Sequence, residues 1–514
     1  MNVDKEAATL SNTSLQETGT RLVVITIGIM LATLMQTLDT TIVNVALPIV
    51  QGNLGATKGE GAWVITGYIV AAVIVIPLTP WLQRRFSRRA YYAAGIAGFT
   101  LASIGCALST SIWMLVFWRV VQGLFGGGLV ATGQAALNDV FGPERLGVSQ
   151  GLFAIGAIAG PCVGPTLGGW LTDNFSWNYI FYINLVPGIL ATAIVLAYMR
   201  NPQGEPAGEF DSLGFVSLVV GLGSLQYVLE QGERNDWFSD SSIVVGSIAA
   251  VLGMATFVAW ELRAKSPIVD LSVFRYRAMW SGFIIALAAG ASLYGALVIL
   301  PQYVQGVLGF TATLSGELMF VRAVCIGLFT PVAAVLVMRG ADARWIIGGG
   351  LVLLGVSQQM QGIITTPSTD FSALVPPMML AGIAIACVMI PVSIAIMGGV
   401  PESEGPKASS LFNLAIQLGG SISTALLVTI LDHRNAVRLS DLAGSVTLSR
   451  PAISGAIAQH AQPAQLFGEV QLQAAALGFA DVNNLLGIFI FCLIPLVLVM
   501  PRPQAGRKIE LAAA

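Results

Sequence analysis

Two charged residues stand inside long apolar runs, and these are the positions where the chain could do chemistry. Asp39 lies in Leu38-Asp39-Thr40-Thr41-Ile42-Val43-Asn44-Val45-Ala46-Leu47-Pro48, and Arg119 in Phe117-Trp118-Arg119-Val120-Val121-Gln122-Gly123. A carboxylate at the centre of a membrane helix is unfavourable by about 2.5–3.5 kcal/mol on insertion scales, so it is rarely incidental. Asp39 has two readings: a protonatable group facing a cavity, or a structural charge paired to a neighbouring helix. Arginine stays charged at any relevant pH, so Arg119 cannot carry a proton itself. It can shift the protonation of a carboxylate beside it. The other reading, a side chain reaching for the interface, is weakened by its position several residues inside its run.

A second charged pair, Glu317 and Arg322, shares one apolar run. Their spacing is off the three or four residues that place side chains on one helix face. Glu317 falls near the outer end and Arg322 deeper. Glu230, beside Gly232 and Glu233, reads as an exposed helix end. Uncharged polar residues within apolar runs are candidates for lining a cavity or for bonding between helices: Gln36, Asn44, Trp63, Tyr68, Gln134, Tyr294 and Gln417.

One apolar run has a distinct pattern of small residues. Gly156, Gly160, Gly164 and Gly168 recur at intervals that line one helix face, with Gly169 beside them. Such a face lets another backbone approach closely. Pro161 and Pro165 each remove a backbone donor and should bend the helix. A plain packing seam would also account for the glycines.

Other chemistries lack their residues. No G-x-x-x-x-G-K-S/T loop, G-x-S-x-G elbow or H-E-x-x-H pair occurs. His433 and His460 share one polar segment without a carboxylate or thiol cluster at ligand spacing, so neither a metal nor another cofactor is expected. Cys106, Cys162, Cys325, Cys387 and Cys492 lie in apolar stretches, form no CxxC pair, and read as packing residues.

The elements that must position these residues are membrane helices. Only 10% of the residues are charged and 55% are hydrophobic, with mean hydropathy +0.78. Soluble domains carry about 25% charged residues. Runs of about 20 apolar residues fall near 22–47, 62–82, 90–109, 112–137, 148–171, 179–199, 211–230, 242–262, 279–300, 313–338, 345–365, 373–397, 408–430 and 480–500. Fourteen spans put both termini on one side of the membrane. With the termini inside, about 18 of the 25 basic residues fall in cytoplasmic segments, as the positive-inside rule requires. Arg84, Arg85, Arg88 and Arg89 form one such turn. No cleavable signal peptide is apparent, because residues 1–20 are polar.

The expected organisation is a cytoplasmic tail over 1–21, a six-helix bundle over 22–200, and a linker with two extra helices over 201–278. A second six-helix bundle over 279–501 contains a long outer loop at 432–479, with a short helix expected at 453–477, and a cytoplasmic tail occupies 502–514. The fold class is all-α and polytopic.

At this point six ordered segments resemble one family, the EmrB/QacA-type fourteen-helix drug:proton antiporters of the major facilitator superfamily. The Asp39 and Arg119 segments resemble its first and fourth helix motifs, and residues 156–169 its antiporter motif. Trp177-Asn178-Tyr179-Ile180-Phe181-Tyr182-Ile183-Asn184, residues 211–237 and Ala408-Ser409-Ser410-Leu411-Phe412-Asn413 resemble the start of helix 6, the inserted pair and helix 13. The resemblance implies a major facilitator fold in the bacterial inner membrane, and proton-coupled export of amphipathic or aromatic toxic compounds. It implies proton coupling at Asp39, assisted by Arg119, and a gating seam between the halves at residues 156–169. It also implies a periplasmic adaptor and an outer-membrane channel as partners. In the turn after helix 2, Leu82, Arg85, Arg88 and Arg89 keep the family pattern, while Arg84 replaces its acid and Pro80 and Ser87 replace its glycines. A latch relying on that acid is therefore in doubt. An importer of a small organic solute on the same fold and a membrane-embedded enzyme are the rival readings; for the enzyme, no nucleophile or metal cluster is seen.

Overall fold

The computed structural model describes residues 17–142, 145–201, 208, 210–264, 267–445 and 463–500. Helices α1 (Gly19–Leu54), α2 (Lys58–Phe86), α3 (Arg88–Ala107), α4 (Ile112–Phe141), α5 (Leu146–Asn174) and α6 (Tyr179–Tyr198) form the first bundle. Helices α7 (Ser212–Gln231) and α8 (Ser241–Glu261) follow as a pair. Helices α9 (Arg277–Gly306), α10 (Ala312–Met338), α11 (Ala343–Ile364), α12 (Phe371–Gly399), α13 (Gly405–Ser445) and α14 (Pro463–Val497) form the second bundle. Among the described residues there is no strand. Thirteen of these helices are long and apolar enough to cross a membrane. The other expected crossing, α5, runs unbroken through Pro161 and Pro165; the Pro161 side chain lies outside the described residues.

The apolar residues sort between core and lipid. Ile29, Ile42, Phe99 and Leu137 are buried in the first bundle, and Ile285, Leu351, Ile385 and Ala415 in the second. Leu101, Phe117, Val186, Val251 and Leu252 point outward, which lipid tolerates and water would not. Cys106 and Cys325 are buried as packing residues, but Cys492 is exposed.

Two spans are interrupted where hydropathy predicts continuous apolar runs. α4 breaks at Gly127 and Gly128, after a first segment ending at Gly126. α6 breaks between Tyr182 and Leu185, which leaves Asn184 at the gap. The reverse happens near the chain end. The expected loop over 432–479 is largely helix, because α13 continues to Ser445 and α14 starts at Pro463. The extensions hold each other: Arg438 donates from Nε and Nη2 to Asp481 at 3.0 and 2.9 Å. The part of the expected short helix at 463–477 is the start of α14, while 453–462 and His460 lie outside the described residues.

Helix ends define two faces. Arg84, Arg85, Arg88 and Arg89 lie where α2 ends and α3 begins, at the basic face. Arg21 donates to the Tyr198 carbonyl and Arg277 to that of Val499, so α1 meets the end of α6 there and the start of α9 meets the end of α14. α7 and α8 cross through glycines: a Cβ on Gly221 would stand 2.6 Å from the Met254 nitrogen. α7 also packs on α2 and α13, so the pair is seated at the junction of the bundles.

Candidate functional site

Asp39 and Arg119 meet. Asp39 is 0% and Arg119 1% exposed, and Arg119 Nη1 lies 2.5 Å from Asp39 Oδ2. The first and fourth helices thus bury an ion pair inside the first bundle. Such a pair persists only when further hydrogen bonds satisfy both groups. Gln122 Nε2 and Asn184 Nδ2 donate to Asp39 Oδ1 at 2.9 and 3.0 Å, and both amides also reach Ser103 Oγ. Arg119 Nη1 donates to Gln122 Oε1 at 2.7 Å, and its Nε to the Val64 carbonyl at 3.2 Å. Its guanidinium lies 4.2 Å from the centre of the Tyr68 ring. Gln36 donates to the Tyr68 hydroxyl at 3.1 Å.

Every contact to Asp39 is a donor to a carboxylate. The pair is built for the ionised form. One acceptor nearby is unused: Asn184 Oδ1 is buried without a hydrogen-bond partner, although its own amide nitrogen serves Asp39. Gln122, Asn184 and Ser103 were missed as site residues. Gln122 stands three residues from Arg119, the spacing of one helix face. That signal was available.

Glu317 and Arg322 do not pair. Glu317 is exposed, whereas Arg322 is buried and donates to the Ser292 carbonyl at 3.4 Å. Their five-residue separation turns them to different sides of α10.

α5 packs on both bundles, and its glycine face is the side turned to α1 of its own bundle. A Cβ on Gly160 would stand 2.5 Å from the Leu38 nitrogen, and one on Gly168 2.8 Å from the Ile42 carbonyl oxygen. Gly164 faces Thr41, Gly156 faces Met30 at ordinary contact distance, and Gly169 has 3.8 Å to Val45. The other side of α5 meets α10 of the second bundle, where Gly151 approaches Thr330 and Thr166 approaches Gly316.

The residues that join the bundles are uncharged. Gln134 Oε1 accepts from Ser409 Oγ at 2.9 Å and from Asn413 Nδ2 at 2.8 Å. Gln134 Nε2 donates to Gln150 Oε1 at 2.9 Å and to Ser393 Oγ at 3.1 Å, and Ser393 also donates to Gln150 at 2.8 Å. Ser410 donates to the Ile76 carbonyl. This lattice ties α2, α4 and α5 to α12 and α13 in the half of the molecule nearer the basic face, and it closes that side. Of the two readings offered for Gln134, lining a cavity or bonding between helices, these contacts fit the second.

The remaining cavity candidates do not surround one space. Gln36 and Tyr68 belong to the Asp39 cluster. Trp63 stacks on Tyr227 at 5.7 Å. Asn44 is exposed, Tyr294 packs against Gly420, and Gln417 is partly buried. A pocket does exist inside the second bundle, lined by Tyr303, Gln358, Gln361, Thr365 and Leu427 among others, but none of the seven candidates lines it. On the basic turn, Arg88 is buried and pairs with Asp139, and Gln83 Nε2 reaches Thr132 Oγ1 at 2.9 Å. Arg89 donates to the Leu196 carbonyl, while Arg84 and Arg85 are exposed. The turn is fastened to its own bundle without the missing acid. Beyond it, Lys407 Nζ lies 2.7 Å from Asp270 Oδ2, joining the segment before α9 to the start of α13. Burial pushes the Asp270 carboxyl up, but hydrogen bonds from Lys407 and Ser272 outweigh this and hold it below the usual carboxylate value.

Two bundles of six helices with a buried charge in the first, joined by a polar lattice, fit a sequence-family match. Residues 29–424 match the family described as Major Facilitator Superfamily. The chain belongs to the major facilitator superfamily. Within it, the chain is 35% identical over 437 residues to the multidrug export protein EmrB of Escherichia coli (strain K12), covering 84% of this chain and 85% of that protein. It is 30% identical over 440 residues to the fatty acid resistance protein FarB of Neisseria gonorrhoeae, covering 84% of each. It is 29% identical over 492 residues to the colistin resistance protein EmrB of Acinetobacter baumannii, covering 92% of this chain and 94% of that protein. The crystal structure of the human organic anion transporter MFSD10 superposes with TM-score 0.55 at 13% identity, covering 92% of this chain and all (100%) of that one. This superfamily member is thus a multi-span membrane protein of the EmrB type, with the fold expected for it.

Proposed function

We propose that this protein exports amphipathic or aromatic toxic compounds across the bacterial inner membrane in exchange for protons, with both termini in the cytoplasm. The observation that carries the reading is the buried Asp39–Arg119 pair inside an apolar bundle whose relatives are named as multidrug exporters. In this reading the basic face is cytoplasmic.

In this reading coupling runs through the Asp39 cluster. With Asp39 ionised, Arg119, Gln122 and Asn184 all donate to it. A proton from the outer side converts the carboxylate to an acid and removes its attraction for Arg119. The acid needs an acceptor, and Asn184 Oδ1 provides one once that amide turns over. Asp39 lies on α1 against the glycine face of α5, whose far side meets α10, so a shift of α1 is passed to the junction of the bundles. Opening the cytoplasmic side then requires the Gln134–Ser409 lattice to part. Substrate enters, the proton leaves inside, and the halves rock back. A membrane potential of about 100 mV contributes about 2.3 kcal/mol per charge moved.

A periplasmic adaptor with an outer-membrane channel is part of the proposal by similarity. The ends of α13 and α14 that stand beyond a span of about 20 residues are the part of the fold such an adaptor would meet.

The test is substrate-induced proton release in everted vesicles carrying the wild type or Asp39→Asn. Lipophilic toxicants should dissipate the pH gradient in the wild type alone. Equal responses from both forms would make Asp39 structural, and uptake without release would favour the importer.

A further inference from the structure

The inserted helix α7 brings a carboxylate to the junction of the two bundles. Gln231 Nε2 donates to Thr66 Oγ1 on α2 at 2.9 Å, and Gln226 Nε2 donates to Ser421 Oγ on α13 at 2.7 Å. Glu230 lies between them in sequence, and its Oε1 accepts from the same Gln226 amide at 3.0 Å. It is not the free helix end that its sequence position suggests.

Gln226 is 0% exposed, yet its carbonyl Oε1 has no hydrogen-bond partner. Buried acceptors are normally satisfied. The same arrangement occurs at Asp39, where Asn184 serves the carboxylate through nitrogen and keeps its oxygen unpaired. In both places the amide beside the carboxylate holds a spare acceptor. That acceptor suits the O–H of a carboxylic acid, which a carboxylate cannot offer. The two sites flank one helix two residues apart, since Arg119 bonds the Val64 carbonyl and Gln231 bonds Thr66.

Glu230 lies one residue before the end of α7, at the end away from the basic face. Glu233 stands in the 3-10 turn after α7, near Asp432 of α13. The neighbouring Asp432 carboxyl, with burial adding to it, raises Glu233 above the usual carboxylate value. Arg234 acts on both Glu230 and Glu233, and Asp236 acts on Glu233.

We propose that Glu230 is a second proton-binding carboxylate of this transporter, carried by the inserted helix and lodged where that helix bonds to both bundles. The inference rests on the proton-coupled reading above. Hydronium at the opposite face gives its proton to a carboxylate oxygen of Glu230, leaving water. The acid donates to Gln226 Oε1 as that amide turns over, which changes what the amide offers Ser421. The proton returns to water when the junction re-forms. The inserted pair then takes part in coupling.

The test has two arms on the full chain. In the first, infrared difference spectra of purified protein in lipid nanodiscs follow the carboxylic-acid C=O band as the buffer is acidified from mildly alkaline to mildly acid. Glu230→Gln should remove one component of that band, Asp39→Asn a different one, and Glu230→Asp should shift the component. An unchanged band in both Glu230 variants overturns the proposal, and the Asp variant decides if the Gln variant does not fold. In the second arm, everted vesicles accumulate ethidium against an imposed pH gradient. Glu230→Gln should reach a several-fold lower accumulation ratio while the purified variant binds ethidium as tightly as wild type. An equal ratio also overturns the proposal. If wild-type vesicles release no protons on adding substrate, the export reading fails instead, and the infrared arm still decides whether Glu230 takes a proton.

Discussion

Ser409 and Gln134, 275 residues apart in sequence, bond across the junction of the two bundles, hydroxyl to amide oxygen at 2.9 Å. Asn413, one turn on from Ser409, reaches the same oxygen. Removing the amide should loosen the closed side. A net hydrogen bond contributes about 1 kcal/mol, which is about a fivefold change in the ratio of open to closed states. Gln134→Ala should therefore raise the rate at which a thiol introduced at Ser393 is labelled by a membrane-impermeant reagent from the basic face. Labelling at the wild-type rate would show that the lattice does not hold that side shut.

At Asp39, the two shortest substitutions should separate charge from geometry. Asp39→Asn keeps a group that can accept from Gln122 or Asn184. Both remove the charge opposite Arg119, which is unfavourable by about 3–5 kcal/mol for a buried pair, but Asp39→Ala also removes every acceptor for Arg119, Gln122 and Asn184. Thermal unfolding in detergent should place Asp39→Ala well below Asp39→Asn. Equal midpoints would mean that Arg119 finds another partner.

Ser87 has φ +68° and ψ 145°, in the region of positive φ that favours glycine. Backbone held there is strained by about 1–3 kcal/mol. Its hydroxyl accepts from the Ala90 amide at 3.4 Å, a weak cap that offsets little. Ser87→Gly should raise the unfolding midpoint by an amount equivalent to about 1 kcal/mol. A lowered midpoint would show the cap to outweigh the strain.

The glycine face offers its own control. Gly160→Ala sets a methyl group 2.5 Å from the Leu38 nitrogen, whereas Gly169→Ala meets Val45 at 3.8 Å. Overpacking is unfavourable by about 1–3 kcal/mol. Gly160→Ala should lower stability and export together, with Gly169→Ala close to wild type in both. Equal effects would dissociate the face from α1 packing.

The Lys407–Asp270 pair sets a pH window. The native Asp270 carboxyl lies below its ordinary value, so its contribution is fully present above the unfolded carboxylate value of about 3.9. It is lost as pH falls through the lower native value. Both side chains are partly exposed, so the pair contributes at most about 1 kcal/mol. Asp270→Asn should lower the unfolding midpoint near neutral pH, and the difference from wild type should shrink below about pH 4. A difference that grows on acidification would contradict the assignment.

Asp39 and Arg119 were legible because a charge inside an apolar run stands out against its neighbours. Their remaining partners were not. Asn184 meets Asp39 across 145 residues, and only the break in α6 turns it inward. The spacing of Gly160, Gly164 and Gly168 gives a face but not the helix that covers it, so α1 could not be told from a helix of the other bundle. Hydropathy ended α13 too early, because its polar extension is held by a pair, Arg438 with Asp481, that no local window contains. The two readings of Gln134 could not be separated because its inter-bundle partners Ser409 and Asn413 are uncharged and distant in sequence. Glu230 read as an exposed end because Ser421, to which its amide neighbour bonds, belongs to the other side of the junction.

The charges near the basic face stay on their own sides of the junction: Arg88 with Asp139, Arg275 with Glu404, Lys407 with Asp270. What spans it is made of amides and hydroxyls. Mobile ions screen charges far more than they weaken short contacts between neutral dipoles. A clasp of this kind keeps its grip as the ionic strength of the surrounding medium rises or falls. Salt and osmotic stress would leave the resting seal unchanged, and the signal to release it must arrive as movement of the helices that carry it.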